Sequence, residues 1–288
     1  MLTIMVLGLE RRKNSCEESE RFAIGPDSDI IKPMKKKRMT ILLTNDDGIY
    51  AEGIFALYEE LKKVADVKVV APATEQSAVG HAITMSDPLR VKDAYRRQKF
   101  FGHSVSGTPA DCVKIAIRSL FKKMPDLVVS GINLGPNTGF SVLYSGTVSG
   151  ATEGAILGIP SIAVSLGTFV NPDFKPAARF AAKMAKVVHR RGLPKGTFLN
   201  INVPGLPTAK IKGIRITTQG KTPIIENFDK RVDPRNRIYY WLTGEVINLK
   251  GERDSDIAAL KKGYISITPI QYDLTDYGYI GELKRWKL

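Results

Sequence analysis

The sequence predicts an α/β fold: a three-layer, Rossmann-like parallel sheet with a C-terminal β-rich hairpin or arm. Three observations carry that prediction. Short apolar runs alternate with helical periodicities between Thr40 and His189, the pattern of βαβ units and so of a parallel sheet covered on both faces. The runs end in clusters of small polar residues, the first being Asn45-Asp46-Asp47-Gly48. Beyond about residue 195 the pattern changes to strands with few helices between them.

The elements follow in order. Residues 40–44, Thr-Ile-Leu-Leu-Thr, form an apolar and β-branched run that reads as a buried strand. Ile54, Leu57, Leu61 and Val64 recur at helical spacing and mark the next helix. Residues 67–71 are a second strand, stopped by Pro72. Residues 110–121 suit a helix, with Thr108 as N-cap and Pro109 at the first helical position. Residues 125–130 are a third buried strand, ending in the run from Gly131 through Asn133 to Gly135. Residues 147–157 read as a helix, 161–166 as a strand and 175–189 as an amphipathic helix. Residues 198–203, 211–218, 238–242 and 264–268 then read as strands. The polar, basic and aromatic stretch 222–240 reads as a hairpin or arm outside the main sheet. A hairpin of that kind is marginal alone, which suits it to contacts between subunits.

Residues 1–38 are of another character. An apolar start, residues 1–9, precedes Glu10-Arg-Arg-Lys13, an acidic patch at 17–20 and Lys35-Lys-Lys-Arg38. A secretory signal places its positive charge before the apolar run, so the order here is wrong for one. This segment reads as an extension, either a disordered tail or a stretch ahead of a true start at Met34 or Met39. Residues 39–288 are then the domain, with a core at 39–195 and C-terminal strands and oligomerisation arm at 196–288.

Composition narrows the function. The 288 residues are 43% hydrophobic and 25% charged, ordinary for a globular protein. No run of about 18 apolar residues is present to span a membrane. Cys16 and Cys112 make neither a disulfide framework nor a four-ligand zinc site, and point to a reducing, cytoplasmic setting. The net charge of +14 is spread along the chain without the interleaved aromatics that bind single strands, so no stable nucleic-acid partner is expected. Such a field does speed the arrival of a small acidic substrate.

The polar clusters carry the chemistry. Asp46 and Asp47 stand at the carboxyl end of the first strand, where open α/β sheets bind their ligands. Adjacent carboxylates repel unless a positive charge joins them, and a hard cation such as Mg²⁺ or Mn²⁺ suits oxygen ligands. Taken alone, the pair reads equally as a polar turn. Ser77, after the second strand, could offer a hydroxyl to a metal or a phosphate, or simply cap a helix. His81 could act as an acid or base, or be structural. Asn133, three residues past the third strand, offers a neutral carbonyl ligand, with Gly131 and Gly135 allowing close approach. Residues 145–150, Ser-Gly-Thr-Val-Ser-Gly, open a helix and form either an anion cradle or a capped, closely packed helix start. No Gly-Lys-Ser/Thr follows, so this is not a Walker loop. Acid pair, hydroxyl, amide and cradle at one sheet edge describe a metal-assisted phosphate site.

The chain resembles the SurE family of nucleotidases, the survival-protein phosphatases. The matching stretches are Ile41-Leu-Leu-Thr-Asn-Asp-Asp-Gly48, Val69-Val-Ala-Pro72, Gln76-Ser-Ala78 with Gly80-His81, Gly107-Thr-Pro-Ala-Asp-Cys112, Val129-Ser-Gly-Ile-Asn133 with Gly135-Pro-Asn137, Ser145-Gly-Thr-Val-Ser-Gly-Ala151, and Tyr264-Ile-Ser-Ile-Thr-Pro269. The resemblance implies one divalent cation, Mg²⁺ or Mn²⁺, held by Asp46, Asp47, Ser77 and Asn133. It implies a phosphomonoesterase acting on nucleoside 5′-monophosphates, with 3′-monophosphates and short polyphosphate as further substrates. It implies a homodimer or homotetramer joined by a swapped C-terminal arm, for which residues 222–240 are the least motif-like part of the match. In that setting Asp46 and Asp47 would be catalytic, one of them orienting or deprotonating the attacking water. Ser145, Gly146 and Thr147 would cradle the phosphate, while Asn45 would contact it or fix the loop.

Other readings of the acid pair fare less well. A phospho-receiver module needs an acceptor Asp after the third strand, where this chain has Asn133, and is far shorter. A phosphatase with a covalent Asp nucleophile needs Asp-x-Asp spacing, whereas position 48 is Gly. A nucleotide-binding module without turnover is the remaining alternative.

Overall fold

The sheet is built outward from β1 (Thr40–Thr44), which pairs in parallel with β2 (Asp66–Pro72) on one side and β5 (Leu127–Leu134) on the other. A computed structural model describes residues 38–221, 224–246 and 253–286. Residues 1–37, and with them the expected extension, lie outside the described residues; Arg38 donates a hydrogen bond to the Lys62 carbonyl.

The remaining elements are α1 (Glu52–Leu61), β3 (Val91–Arg96), β4 (Lys99–Val105), α2 (Pro109–Ile115), α3 (Ser141–Tyr144), α4 (Gly146–Ile156), β6 (Ser161–Gly167), α5 (Lys175–Arg191), β7 (Thr197–Pro204), β8 (Ile214–Ile216), β9 (Ile224–Val232), β10 (Ile238–Val246), α6 (Asp256–Lys261), β11 (Ile265–Gln271) and α7 (Tyr277–Leu283). A π-helical turn, Ala116–Leu120, continues α2. The main sheet runs β3-β4-β2-β1-β5-β6-β7-β11-β8, and β9 with β10 form a separate two-stranded hairpin. Strands β4, β2, β1, β5, β6 and β7 are parallel; β3 and β11 run against their neighbours β4 and β7.

Strand alternation sorts the core into layers, because successive side chains point to opposite faces. Ile41 and Leu43 pack with Ile54, Leu57 and Leu61 of α1 and with Ala177 and Ala181 of α5. Leu42 lies on the other face with Cys112 and Val113 of α2. On that second face, α4 lays Val148, Ala151 and Ala155 against Ala163 and Phe198. Helix α4 comes unusually close to the sheet, through glycines one turn apart. A Cβ at Gly150 would stand 2.8 Å from Ser130 Oγ, and one at Gly154 would stand 2.3 Å from Ser161 Oγ and 2.8 Å from Val128 Cγ2.

Several expectations need correction. The third strand does not stop at residue 130. It continues to Leu134, with a register shift against β6 between Gly131 and Asn133, so Asn133 belongs to the strand. Gly131, expected to allow close approach of a ligand, sits at this irregularity, which re-aims the side chains beyond it. The β3–β4 hairpin was not foreseen: its turn is Arg97-Gln98, both at positive φ, where Asn-Gly is the usual signal. Strand β8 is only Ile214–Ile216, shorter than the expected 211–218. The arm is a hairpin as expected, but reaches Val246. Helices α6 and α7 break the expected run of strands; Ser255 caps the first and Asp276 the second. Among the described residues no helix is long and apolar enough to cross a membrane.

Gly154→Ala tests the close approach of α4. Alanine improves helix propensity by about 1 kcal/mol, but the added methyl strikes Ser161 and Val128. Overpacking should win, giving a net loss of about 1–3 kcal/mol, read as a lower urea midpoint at unchanged m.

Candidate metal and phosphate site

The chain leaves β1 for α1 and β2 on one side, while β5 lies on the other, so the strand order reverses beside β1. Ligands of open α/β sheets bind in the crevice at that switch point. The turn after β1 is shaped there by Asn45, fully buried, whose Nδ2 donates to the Gly48 carbonyl at 2.9 Å. Gly48 has φ +95°, a conformation in which a side chain is strained. Asp46, 5% exposed, turns inward, and its main-chain carbonyl accepts from the Gln76 N–H at 2.8 Å. That bond ties the turn to the segment after β2.

Helix α4 begins directly over Asp46. Ser145 caps it, its Oγ accepting from the Val148 N–H at 3.1 Å. The Thr147 hydroxyl donates to the Asp46 carboxylate and lies 3.4 Å from Asn133 Oδ1. One proton cannot serve both acceptors, so the carboxylate holds it. A Cβ at Gly146 would sit 2.7 Å from Asp46 Cβ and 3.1 Å from the Gln76 carbonyl. Only glycine lets the helix start so near the acid. Asn133 spends its Nδ2 on the Gly135 carbonyl at 2.8 Å and the Leu134 carbonyl at 3.3 Å, which leaves Oδ1 toward Thr147.

The structure therefore brings Asp46, Asn133, Gly146 and Thr147 together, with Asp47 and Ser145 adjacent in the chain. Asn45 supports them from below. Ser77 is one residue from the Gln76 anchor, but it is exposed and donates to the Glu75 carboxylate. Its hydroxyl is thus not in contact with the acid pair here. His81 places Nε2 2.8 Å from Glu153 Oε2, a partner that sequence reasoning did not name.

The two acids are held in an unfavourable state. Burial raises Asp46 above its ordinary value, and hydrogen bonding from the Thr147 hydroxyl and main chain offsets part of that. Burial, then the neighbouring Asp46, then Glu75 push Asp47 up to about 7, against the main chain of Leu134. Among the described residues neither acid has a Lys, Arg or His ion-pair partner. Nor do three or more His, Cys, Asp or Glu side chains gather to hold a metal among the described residues. The donors are two carboxylates and neutral oxygens. A small hard cation bound through one or two carboxylates, with water and substrate phosphate as further ligands, fits such a set.

Two supporting networks carried no signal beyond buried polar residues. Asp111 accepts from the Thr84 N–H and hydroxyl and from the Thr108 N–H, fixing the loop ahead of β3 onto the start of α2. The Asn137 carbonyl accepts from the amides of Asn200 at 2.8 Å and Asn202 at 2.9 Å, and the Asn137 N–H donates to Asn202 Oδ1 at 2.9 Å. Asp256 Oδ2 accepts from the Gly139 N–H at 2.9 Å. The loop that leads into α4 is thereby tied to β7 and α6.

The chain is similar to known proteins. The family model described as Survival protein SurE matches residues 41–226. The 5'-nucleotidase SurE of Syntrophobacter fumaroxidans is 53% identical over 250 residues, covering 87% of this chain and 100% of that protein. The 5'-nucleotidase SurE of Syntrophus aciditrophicus is 58% identical over 247 residues, covering 85% and 93%. The crystal structure of the SurE protein from Aquifex aeolicus matches with a TM-score of 0.75 at 44% identity, covering 85% of this chain and 98% of that one. The family match spans the turn after β1, strand β5 with Asn133 and the start of α4, and from these likenesses this chain belongs to the SurE family.

Proposed function

We propose that the protein is a metal-dependent nucleotide phosphomonoesterase, converting nucleoside 5′-monophosphates to nucleoside and phosphate, with 3′-monophosphates and short polyphosphate as further substrates. One observation carries the reading: a buried acid, without a cationic partner among the described residues, meets Thr147 at the N-terminus of α4, with the neutral Asn133 oxygen on the other side of that hydroxyl, at the switch point of the sheet. The names of the relatives, 5'-nucleotidase SurE, support the substrate class.

Asp46, Asp47, Ser77 and Asn133 would hold one divalent cation, Mg²⁺ or Mn²⁺. When bound, that ion supplies positive charge that polarises a phosphoryl oxygen and acidifies a bound water. The chain does the rest. Gly146 would present its main-chain N–H to the phosphate at the start of α4, where the helix leaves it without a carbonyl partner, and Thr147, whose N–H and hydroxyl turn to Asp46, would close the cradle beside it. Ser145 Oγ already accepts from Val148, so its own proton is free to donate to a phosphoryl oxygen. Asn45 holds the turn on which both acids stand. Thr147 fixes Asp46, which leaves the half-buried Asp47 to orient the attacking water. Positioning and electrostatics then carry an in-line displacement.

The same reading gives the arm its role. Phe228, Tyr240, Trp241 and Leu242 are exposed on a hairpin outside the main sheet, and an apolar surface of that kind marks an interface. It supports a homodimer or homotetramer, with 39–195 as the core and 196–288 as the strands and assembling arm, in a cytoplasmic setting.

Phosphate release from a panel of nucleotides, with and without chelator, tests the activity; no release from any of them in the presence of metal would overturn it. Asp46→Asn should lower release at least about 100-fold while the circular dichroism spectrum is unchanged. Gly146→Ala pushes α4 off Asp46, and misplacement of about 1 Å costs about 100-fold in kcat/KM, with a smaller effect on melting.

Stability of the metal-free protein should fall as pH rises. Asp47 has an ordinary value of 3.8 and is raised to about 7 in the fold. The folded state therefore binds the extra proton between those values and loses stability as it is given up. Thermal melts in chelator should decline from about pH 4 to pH 7. Asp47→Asn should flatten the decline, and saturating Mn²⁺ should raise the melting temperature at pH 7.

A further inference from the structure

We propose that His81 is a positioning residue: gripped by Glu153, it pins the loop between β2 and β3, keeps the segment that bears Ser77 near enough to Asp46 for the Ser77 hydroxyl to turn from Glu75 to a bound ion, and so sets how tightly the site takes its divalent ion. The proposal rests on the reading of Asp46, Asp47, Ser77 and Asn133 as the ion site.

Glu153 lies on α4 and is 1% exposed. A carboxylate buried that deeply is costly unless its oxygens are partnered. Each oxygen has one partner: Oε1 accepts from Lys114 Nζ of α2 at 2.7 Å, and Oε2 meets His81 Nε2 at 2.8 Å. Burial alone would raise Glu153, but His81 and Lys114 together bring it below its ordinary value. Lys114 is enough to balance the charge and to join α2 to α4. The second oxygen is turned to the loop.

Helix α4 therefore does two things at once. Its first turn carries Ser145, Gly146 and Thr147 over Asp46. Six residues beyond Thr147, about 9 Å along a helix, Glu153 holds His81. One rigid element fixes the spacing between the cradle and the loop that bears Ser77. Among the described residues, His81–Glu153 is the one acid–base side-chain pair between this loop and α4.

The loop needs such a hold. Ala78, next to Ser77, has φ +56°, a left-handed conformation that is strained for alanine. Main-chain bonds flank it: Gln76 N–H to the Asp46 carbonyl at 2.8 Å and Gly80 N–H to the Tyr144 carbonyl at 2.9 Å. The Thr108 hydroxyl holds the Ala82 carbonyl at 2.8 Å farther on. Between those points His81 supplies the side-chain anchor. Without it the strain at Ala78 is relieved by movement of the segment that carries Ser77.

The test is calorimetric titration of the full chain with Mn²⁺, together with melting in chelator. His81→Ala should bind Mn²⁺ about tenfold more weakly or worse, whereas Lys114→Ala, which strips the other Glu153 oxygen of its partner without touching the loop, should melt lower in chelator by at least as much and keep its Mn²⁺ affinity. In His81→Ala the Mn²⁺ concentration for half-maximal phosphate release should rise in step, with kcat largely recovered at saturation. His81→Gln, which keeps an N–H donor for Glu153, should restore binding. In a Ser77→Ala background, His81→Ala should add no further loss, since the two act through one route. Wild-type affinity in His81→Ala would overturn the proposal. So would a Lys114→Ala variant that loses Mn²⁺ affinity as His81→Ala does, no restoration by His81→Gln, or an undiminished loss in the Ser77→Ala background. Asp46→Asn is the separate control: if it binds Mn²⁺ normally, the ion site itself is misassigned, whatever His81 does.

Discussion

The nearness of α4 to the sheet is the constraint on which the rest of the structure depends. A helix packed through ordinary side chains would stand farther off. Here Gly146, Gly150 and Gly154 remove the side chains along one edge, and Ser130, Ser161, Val128 and Asp46 fill the space. Glycine in a helix costs up to about 1 kcal/mol relative to alanine, so three in eleven residues would be a poor helix in isolation. Packing against β1, β5 and β6 offsets that cost. The same nearness puts Thr147 in contact with Asp46 and buries Glu153 between two helices.

Electrostatics follows from the packing. A helix start and a tight turn are pressed together, and water is kept from two adjacent acids. Among the described residues neither acid gains a basic side chain in exchange. The fold thus carries a local cost that an external cation relieves. Folding and ion binding are then coupled through the same carboxylates, and the site is destabilising in the state where it does nothing.

Much of this was legible in the sequence, and for physical reasons. Strands β1 and β6 and the second half of β2 are buried on both faces and show as apolar runs; α1 and α5 show their periodicity because one face is wet. Thr108 and Pro109 marked the start of α2 because capping chemistry is local. Asp46 and Asp47 were found because polar residues at a strand end are conspicuous. What failed was whatever depends on a partner far along the chain. Arg97 and Gln98 adopt positive φ with no glycine to announce it. Asn133 looked like a loop residue because Gly131 precedes it, although the strand runs on. Ser77 faces Glu75 in the structure, which no spacing foretells. Glu153, within a stretch of small residues, gave no signal; its two basic partners are 39 and 72 residues away.

The tie between Asn137 and β7 has a consequence in time as well as in space. Every residue assigned to the phosphate and the ion has been synthesised once position 147 is made. The loop leading into α4 is then still free, because its carbonyl awaits the amides of Asn200 and Asn202 and its Gly139 N–H awaits Asp256. Domains take shape as units during synthesis, and here the last fastening comes some hundred residues after the last working residue. The nascent chain therefore carries all the reactive groups of the site for much of its growth without the geometry that makes them act together.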